Sequence, residues 1–459
     1  MKKFITHTGA VLPLMMFLLL FVVASCSSDE KTPEDEPPTP TEDVVDEVPD
    51  DVEDPPPPPD DVTDEVPDDV TDDVPDDVSD DIDEPIETGP WSVPLGPEDT
   101  TFHVGPYLGH TTTTSVAISW ETLEEGTTVV EYGLDETYGE RFEGAPGTMH
   151  HAVLEGLEPA TLYHYRACTD DTCTRNLTFA TAPGPNRPFR FAVYGDSRSN
   201  PERHRAVVEN IIADNPAIVL NTGDIVADGD QRHEYKEMHF DPLRALGHYL
   251  PVYVAIGNHE WRGEVHNEAA TFREYLAFPE DSDVPVPGLS FSVTYGDAFF
   301  LFLDNTLDGG HFFQPLGRPP GPPLWVWLNE QVNSEEAQNA RWRFAFFHYP
   351  PNSPCQESWG MILSTREFVI PLLREHGFNA VFAGHVHHYE KHDFDGMPVV
   401  VTGGGGAGLQ NMERCVLESD TVESIVNVHH HTTVDLGEDK AILRAVDIDG
   451  EVFDTFEFD

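Results

Sequence analysis

The sequence predicts a mixed α/β domain, two packed sheets flanked by helices, preceded by an all-β sandwich. Three observations lead there. From about residue 188, short apolar runs alternate with stretches whose apolar residues recur three to five apart, as strands alternating with helices do. Between residues 91 and 183 the apolar period is two, with Gly and Pro at the intervals. Before residue 90 neither period occurs.

In chain order, Lys2 and Lys3 lead into the apolar run Val11 to Val23, the pattern of a secretory signal over residues 1–25. Pro13 interrupts that run, which argues against a retained transmembrane anchor. Val23-Ala24-Ser25-Cys26 resembles the bacterial lipoprotein cleavage box, in which the cysteine carries the lipid. The expectation is a lipid-anchored protein of the bacterial envelope, at the outer membrane or cell surface, modified at Cys26. Residues 26–90 then repeat Asp-Asp-Val-Pro and Asp-Asp-Val-Thr without one aromatic. Too little apolar surface is present to offset chain entropy, so this segment reads as an extended stalk. It lacks the glycine-containing loops of calcium-binding repeats.

The formal charge is −59, and residues 29–87 alone carry 28 Asp and Glu against one Lys. Such a chain offers no basic face to nucleic acid. An anionic membrane surface would repel it, leaving the lipid as its only attachment.

In residues 91–183, Thr114 to Glu121, Thr128 to Tyr132 and Leu162 to Ala167 alternate as strands do. Leu154 to Tyr163 resembles a fibronectin type III corner, where a tyrosine pins a loop of a β-sandwich. Beyond residue 188, Ala206-Val207-Val208 with Ile211-Ile212 marks a helix face. Phe368-Val369 with Leu372-Leu373 marks another, starting or kinked at Pro371. Ala441 to Phe453 reads as a hairpin turning at Asp449-Gly450. The Pro- and Gly-rich loops 278–289 and 309–323 are expected to shape a pocket.

Five cysteines are present. With Cys26 lipidated, four remain, an even number that suits an oxidising compartment. Cys168 and Cys173 would close a hairpin tip, and Cys355 and Cys415 would tie two loops that follow strands.

Five segments carry the chemistry: Gly195-Asp196-Ser197-Arg198, Gly223-Asp224, Gly257-Asn258-His259-Glu260, His348-Tyr349-Pro350-Pro351 and Gly384-His385-Val386-His387. Each follows an apolar, strand-like run, so the polar residues gather at strand C-terminal ends, where open α/β sheets place their sites. Asp, Asn and His together suit Zn, Mn or Fe rather than Ca or Mg alone. The residues alone thus point to a metal-dependent hydrolase.

The order and spelling of these segments resemble the calcineurin-like metallophosphoesterases, and within them the purple-acid-phosphatase-like branch, over roughly residues 188–459. The resemblance implies a four-layer αββα sandwich, with a β-sandwich domain like that of residues 91–183 in front. It also implies two divalent or trivalent transition-metal ions (Fe, Mn or Zn). Asp196 and His387 would hold the first, Asn258, His348 and His385 the second, and Asp224 would bridge them. His259 would stand beside the leaving group as proton donor or phosphate contact. Such a pair lowers the pKa of a bridging water, neutralises phosphate charge and orients an in-line attack.

This chain departs from the family twice. Purple acid phosphatases have a tyrosine three residues after the bridging aspartate, where Ala227 stands here, so a colourless protein is expected. Many other relatives place a histidine where this chain has Arg198, and a guanidinium cannot ligate a metal. The first metal is left with three protein ligands, with water, Asp228 or Asp230 as substitutes. Arg198 would instead clamp phosphate. His388 and His429-His430-His431 fall outside the pattern and are expected at solvent or rim positions.

The function expected is an extracytoplasmic phosphoesterase acting on small phosphate esters, above all monoesters. A phosphodiesterase or nucleotidase with the same site, and an inactive metal-bearing binding module, are the alternatives.

Overall fold

The computed structural model describes residues 94–264, 267–276, 287–306, 322–355, 363–415 and 419–459. The expected signal, Cys26 and the acidic segment lie outside the described residues, as do most of the loops 278–289 and 309–323.

The first described region is all β. It contains β1 (Val104–Thr111), β2 (Ser115–Gly133), β3 (Glu140–Glu155), β4 (Leu162–Thr169), β5 (Thr172–Cys173) and β6 (Leu177–Ala180). Two runs that the sequence presents as separate strands are one, β2. Its register against β3 shifts between Glu121 and Thr128. That irregularity lets its first half pair with β1 and its second half with β4, so one bent strand changes neighbours midway. Ile118, Trp120, Val130, Tyr165 and Phe179 are buried at the centre. The Tyr163 hydroxyl accepts a hydrogen bond from the Glu158 amide at 2.9 Å, pinning the turn before β4.

The second region contains β7 (Phe189–Tyr194), β8 (Ile218–Asn221), β9 (Val252–Val254), β10 (Phe291–Tyr295), β11 (Ala298–Phe302), β12 (Trp342–Phe346), β13 (Ala380–Ala383), β14 (Tyr389–Phe394), β15 (Met397–Thr402), β16 (Val422–Val426), β17 (His430–Leu436), β18 (Ala441–Asp447) and β19 (Val452–Phe458). They form a six-stranded sheet, β19-β18-β17-β7-β8-β9, and a seven-stranded sheet, β10-β11-β12-β13-β15-β14-β16. The inner faces pack through aromatic rings: Phe191 of the first sheet meets Phe300 and Phe344 of the second edge-on, at 5.3 and 5.1 Å between ring centres. Behind the seven-stranded sheet, Phe299, Leu301, Ala345, Val381 and Val399 share a core with Trp327, Leu328, Val332, Val369 and Leu373 from the helical segments. Against the other sheet lies the helix Pro201–Asp214, burying Val207, Val208 and Ile211. The result is a mixed α/β fold, helix on sheet on sheet on helix, behind an all-β region.

Local chemistry fixes the helix ends. Asn200 caps the Arg203 amide, Pro201 opens the first turn, and Asn215 closes the last in left-handed geometry. Around Pro371, a π-helical turn, Thr365–Val369, runs without a break into the α-helix Ile370–Glu375, and the wider turn accommodates a proline that cannot donate to the turn before it.

The two regions are bonded together. Leu108 of β1 bridges Pro251 beside β9. The Tyr165 hydroxyl donates to the His248 carbonyl at 2.7 Å, and Tyr253 Oη accepts from the Thr111 amide at 2.8 Å. Glu121, at the bend of β2, receives Arg232 Nε at 2.8 Å and the Tyr275 hydroxyl at 3.0 Å.

Candidate metal centre

The parallel strands β7, β8 and β9 of one sheet and β12 and β13 of the other deliver the five segments to one place. Each strand ends within a few residues of Asp196, Asp224, Asn258, His348 or His385. Asp196, Asp224 and His385 all take positive φ, at 57°, 58° and 70°, where the chain turns sharply off its strand. The glycines before the ligands follow from crowding. A Cβ on Gly384 would stand 2.5 Å from Asp196 Oδ2, and one on Gly257 would stand 2.3 Å from Asp224 Oδ1.

Asp224 is central and buried. Its Oδ1 accepts from the His259 amide at 3.0 Å and lies 3.3 Å from His348 Nε2. His348 Nδ1 donates to the Thr222 carbonyl at 2.9 Å, so Nε2 is the nitrogen that faces Asp224 and would ligate a metal in place of a proton. Asn258 Oδ1 lies 3.1 Å from both His348 Nε2 and His385 Nδ1. Lone pairs from a carboxylate, a carboxamide and imidazoles thus converge, an arrangement a cation relieves. Asp224, His348 and His385 offer ligand atoms all within 4.8 Å of one another.

On the other side of Asp224, Asp196 and His387 complete a second such group. Asp196 Oδ2 accepts from the His385 amide at 2.8 Å, whereas Oδ1 is buried with no hydrogen-bond partner among the described residues. His387 Nδ1 donates to the Gly408 carbonyl at 2.7 Å, leaving Nε2 3.5 Å from Asp196 Oδ1. The residues present fit a metal on each side, with Asp224 common to both.

Arg198 enters this second group. Its Nε donates to Asp224 Oδ2 at 3.3 Å and its Nη2 to His387 Nε2 at 3.4 Å. Asp228 and Asp230 are exposed and do not join the group; Asp230 instead accepts from Gln231.

Electrostatics follow the geometry. Burial would push the Asp224 carboxyl up, but His348, His259 and Arg198 outweigh it and hold it well below the carboxylate range. Burial works against charge on His348, yet Asp224 raises it. Burial, then the His348 charge, drives His385 down to about 3. His259 is held near 4, mainly by burial. Its Nδ1 donates to the Ala227 carbonyl at 2.6 Å, leaving Nε2 3.7 Å from Asp224 Oδ2.

Two supports carry no role in the sequence reading. Glu260 is fully buried, and its carboxylate accepts four backbone amides: Ile225 and Val226 on Oε1, Asp224 and Gly257 on Oε2, at 2.7–3.3 Å. It stitches the Asp224 turn to the Asn258 turn. The second support is the run Gly403 to Gly406. Gly405 donates to the Gly195 carbonyl and Ala407 to that of Asp196, both at 2.8 Å. A Cβ on Gly405 would lie 2.3 Å from the Gly195 oxygen. Four consecutive glycines were a visible signal for that close approach.

His388, His430 and His431 are not at solvent or rim positions: all three are fully buried. His430 and His431 lie on β17, between β18 and β7, and His388 leads into β14. Both expected disulfides are present, Cys168–Cys173 across β4 and β5, and Cys355–Cys415.

Comparison with known proteins adds independent findings. Residues 189–389 match the family described as calcineurin-like phosphoesterase, and residues 102–181 match the purple acid phosphatase N-terminal domain. An uncharacterized protein of Mycobacterium tuberculosis is 27% identical over 326 residues, covering 62% of this chain and 60% of that protein. Purple acid phosphatase 23 of Arabidopsis thaliana is 24% identical over 306 residues, covering 58% and 64%. The chain therefore spans less than two thirds of the length of these curated relatives. The solved structure of a purple acid phosphatase from yellow lupin (Lupinus luteus) seeds shares the fold with a TM-score of 0.63, at 17% identity over 77% of this chain and 73% of that one.

Proposed function

We propose, from the matches of residues 189–389 to the calcineurin-like phosphoesterase family and of residues 102–181 to the purple acid phosphatase N-terminal domain, that this chain is a metal-dependent hydrolase of phosphate monoesters working outside the cytoplasm. One observation carries the reading: Asp224 is shared by two groups of converging ligand atoms, one with His348 and His385, the other with Asp196 and His387. Asp196, Asp224 and His387 would hold one cation; Asp224, Asn258, His348 and His385 would hold the other. When bound, such a pair acidifies a water, offsets phosphate charge and aligns attack with departure.

The protein's own groups do the rest. Thr222, Gly408 and Ala227 carbonyls fix three imidazoles so that each turns its Nε2 inward. His259 is neutral at ordinary pH, and an arriving phosphate anion would raise its pKa and make it a proton donor to the leaving oxygen. The Arg198 side chain is 18% exposed, and its Nη1 has only a 3.4 Å contact with Ser199 Oγ, so that nitrogen is placed for a phosphate oxygen. Two disulfides and the lipobox-like Val23 to Cys26 support an oxidising, envelope location. Cys26→Ala should abolish labelling by an alkyne fatty acid in a bacterial host; equal label would remove the anchor from this reading.

Purified protein supplied with Mn, Zn or Fe is to be assayed on p-nitrophenyl phosphate and its bis-ester. Faster monoester turnover, with one to two metal equivalents by elemental analysis, is expected. Faster diester turnover would move the substrate class to diesters. No bound metal and no turnover of either ester would leave a binding module.

A further inference from the structure

Behind the centre lies a second cluster of ligand types with different chemistry. A sulfur of Cys355, a ring nitrogen of His388 and a carboxylate oxygen of Glu390 lie within 4.8 Å of one another. His388 and Glu390 are fully buried. Glu390 Oε1 accepts from Ser353 Oγ at 2.8 Å and lies 2.7 Å from His388 Nε2, while Oε2 lies 2.8 Å from His392 Nε2. The other nitrogen of His388, Nδ1, is buried with no hydrogen-bond partner among the described residues. The Cys355 sulfur is bonded to Cys415, and a disulfide sulfur is a poor metal ligand.

We propose that cleavage of the Cys355–Cys415 disulfide opens a zinc site formed by Cys355, His388 and Glu390, separate from the phosphoesterase centre. A dithiol or phosphine reductant supplies two electrons, and with two protons the disulfide becomes two thiols. The Cys355 thiol then loses its proton as its sulfur binds the metal. Ligand atoms around a tetrahedral zinc stand roughly 3.3–3.8 Å apart. The cluster therefore reaches that spacing with side-chain movement on the order of an ångström, the 2.7 Å His388–Glu390 contact opening as the sulfur draws in. Cys355 is partly exposed, so water could fill the fourth position. Ser353 and His392 already orient the Glu390 carboxylate from outside, as supporting groups of metal sites do.

The thiolate sets this site's preference. The phosphoesterase centre offers only oxygen and nitrogen donors, which accept manganese or iron, whereas a thiolate favours zinc over manganese. Binding would also exchange one cross-link for another. The segment after His348, now tied to the segment after the glycine run, would be tied to β14 instead. A metal on Cys355 opposes reoxidation, so zinc would hold the protein in its reduced form.

Cys415→Ser frees Cys355 without reductant and leaves Cys168–Cys173 closed. In the full chain, this variant should bind one more equivalent of Zn²⁺ than oxidised wild type. Loaded with Co²⁺ it should show a sulfur-to-cobalt charge-transfer band in the near ultraviolet, which oxygen and nitrogen donors do not give. The band should vanish in Cys355→Ser/Cys415→Ser, and Co²⁺ affinity should fall at least about tenfold when His388→Ala is added to Cys415→Ser, in line with loss of a metal-site group. Wild type reduced after folding by a phosphine, in a Cys168→Ser/Cys173→Ser background, gives the same readout if Cys415→Ser folds poorly. No band in either preparation would overturn the site. A band of unchanged affinity with His388→Ala would also overturn it, because the sulfur would then be binding elsewhere. None of these readings depends on phosphatase activity.

Discussion

The two halves around Asp224 differ in what they already hold. On one side Asn258, His348 and His385 converge, and no arginine or lysine among the described residues bonds them. On the other, Asp196 and His387 share their space with Arg198, whose guanidinium bonds both Asp224 Oδ2 and His387 Nε2. One half is prepared for an ion. The other contains a permanent positive charge, which repels a metal and attracts a phosphate oxygen. The lesson is that a shared carboxylate does not make two sites equal, and metal loss by mild chelation should be sequential, from the Asp196 side first.

The largest effect expected is from removing what the halves share. Asp224→Ala should drop turnover to background and deplete metal on both sides; one equivalent retained at wild-type affinity would show the halves to be independent. His259→Ala should leave both metals in place and lower kcat roughly 10²–10⁴-fold. Loss of metal instead, with unchanged rate per remaining ion, would make His259 a support for Asn258.

Glu260→Gln probes the joint between the halves. An amide cannot accept four backbone N–H groups as a carboxylate does, so metal affinity should fall roughly 10–100-fold. Equal losses on both sides are expected from its hold on the Asp224 turn; a loss confined to the Asn258 side would narrow its role. Arg198→Ala sharpens the contrast itself. Phosphate binding, followed by inhibition, should weaken roughly ten- to hundredfold, since a charge-assisted contact contributes about 1.5–3 kcal/mol. Metal on the Asp196 side should bind more tightly, and Arg198→His more tightly still. Unchanged phosphate binding would reduce Arg198 to an ion-pair partner of Asp224.

What the sequence made legible, and what it hid, follows from where the partners lie. Asp196, Asp224, Asn258, His348 and His385 were visible because a polar ligand type directly after a buried apolar run has few other uses. The two β-strand patterns in 114–132 were visible too, but not their union, because a bulge interrupts the period that would have joined them. Glu260 was hidden because its partners are mostly backbone amides 34–36 residues away, and amides carry no side-chain signature. His388, His430 and His431 were misplaced for a related reason. A histidine in or beside a strand has the same spelling whether it faces water or a buried partner such as Glu390.

The bend of β2 has a consequence beyond topology. Glu121 sits there and receives both Arg232 and Tyr275 from the segments flanking the Asn258 loop, while β1 is laid against Pro251 just upstream of β9. The all-β region is thus a wall of the α/β region rather than a detachable arm. A gene trimmed to begin at residue 188 would strip hydrogen-bond partners from Tyr253 and Tyr275. Domain swapping by recombination should therefore tolerate exchanges that carry both regions together and reject those that cut between them.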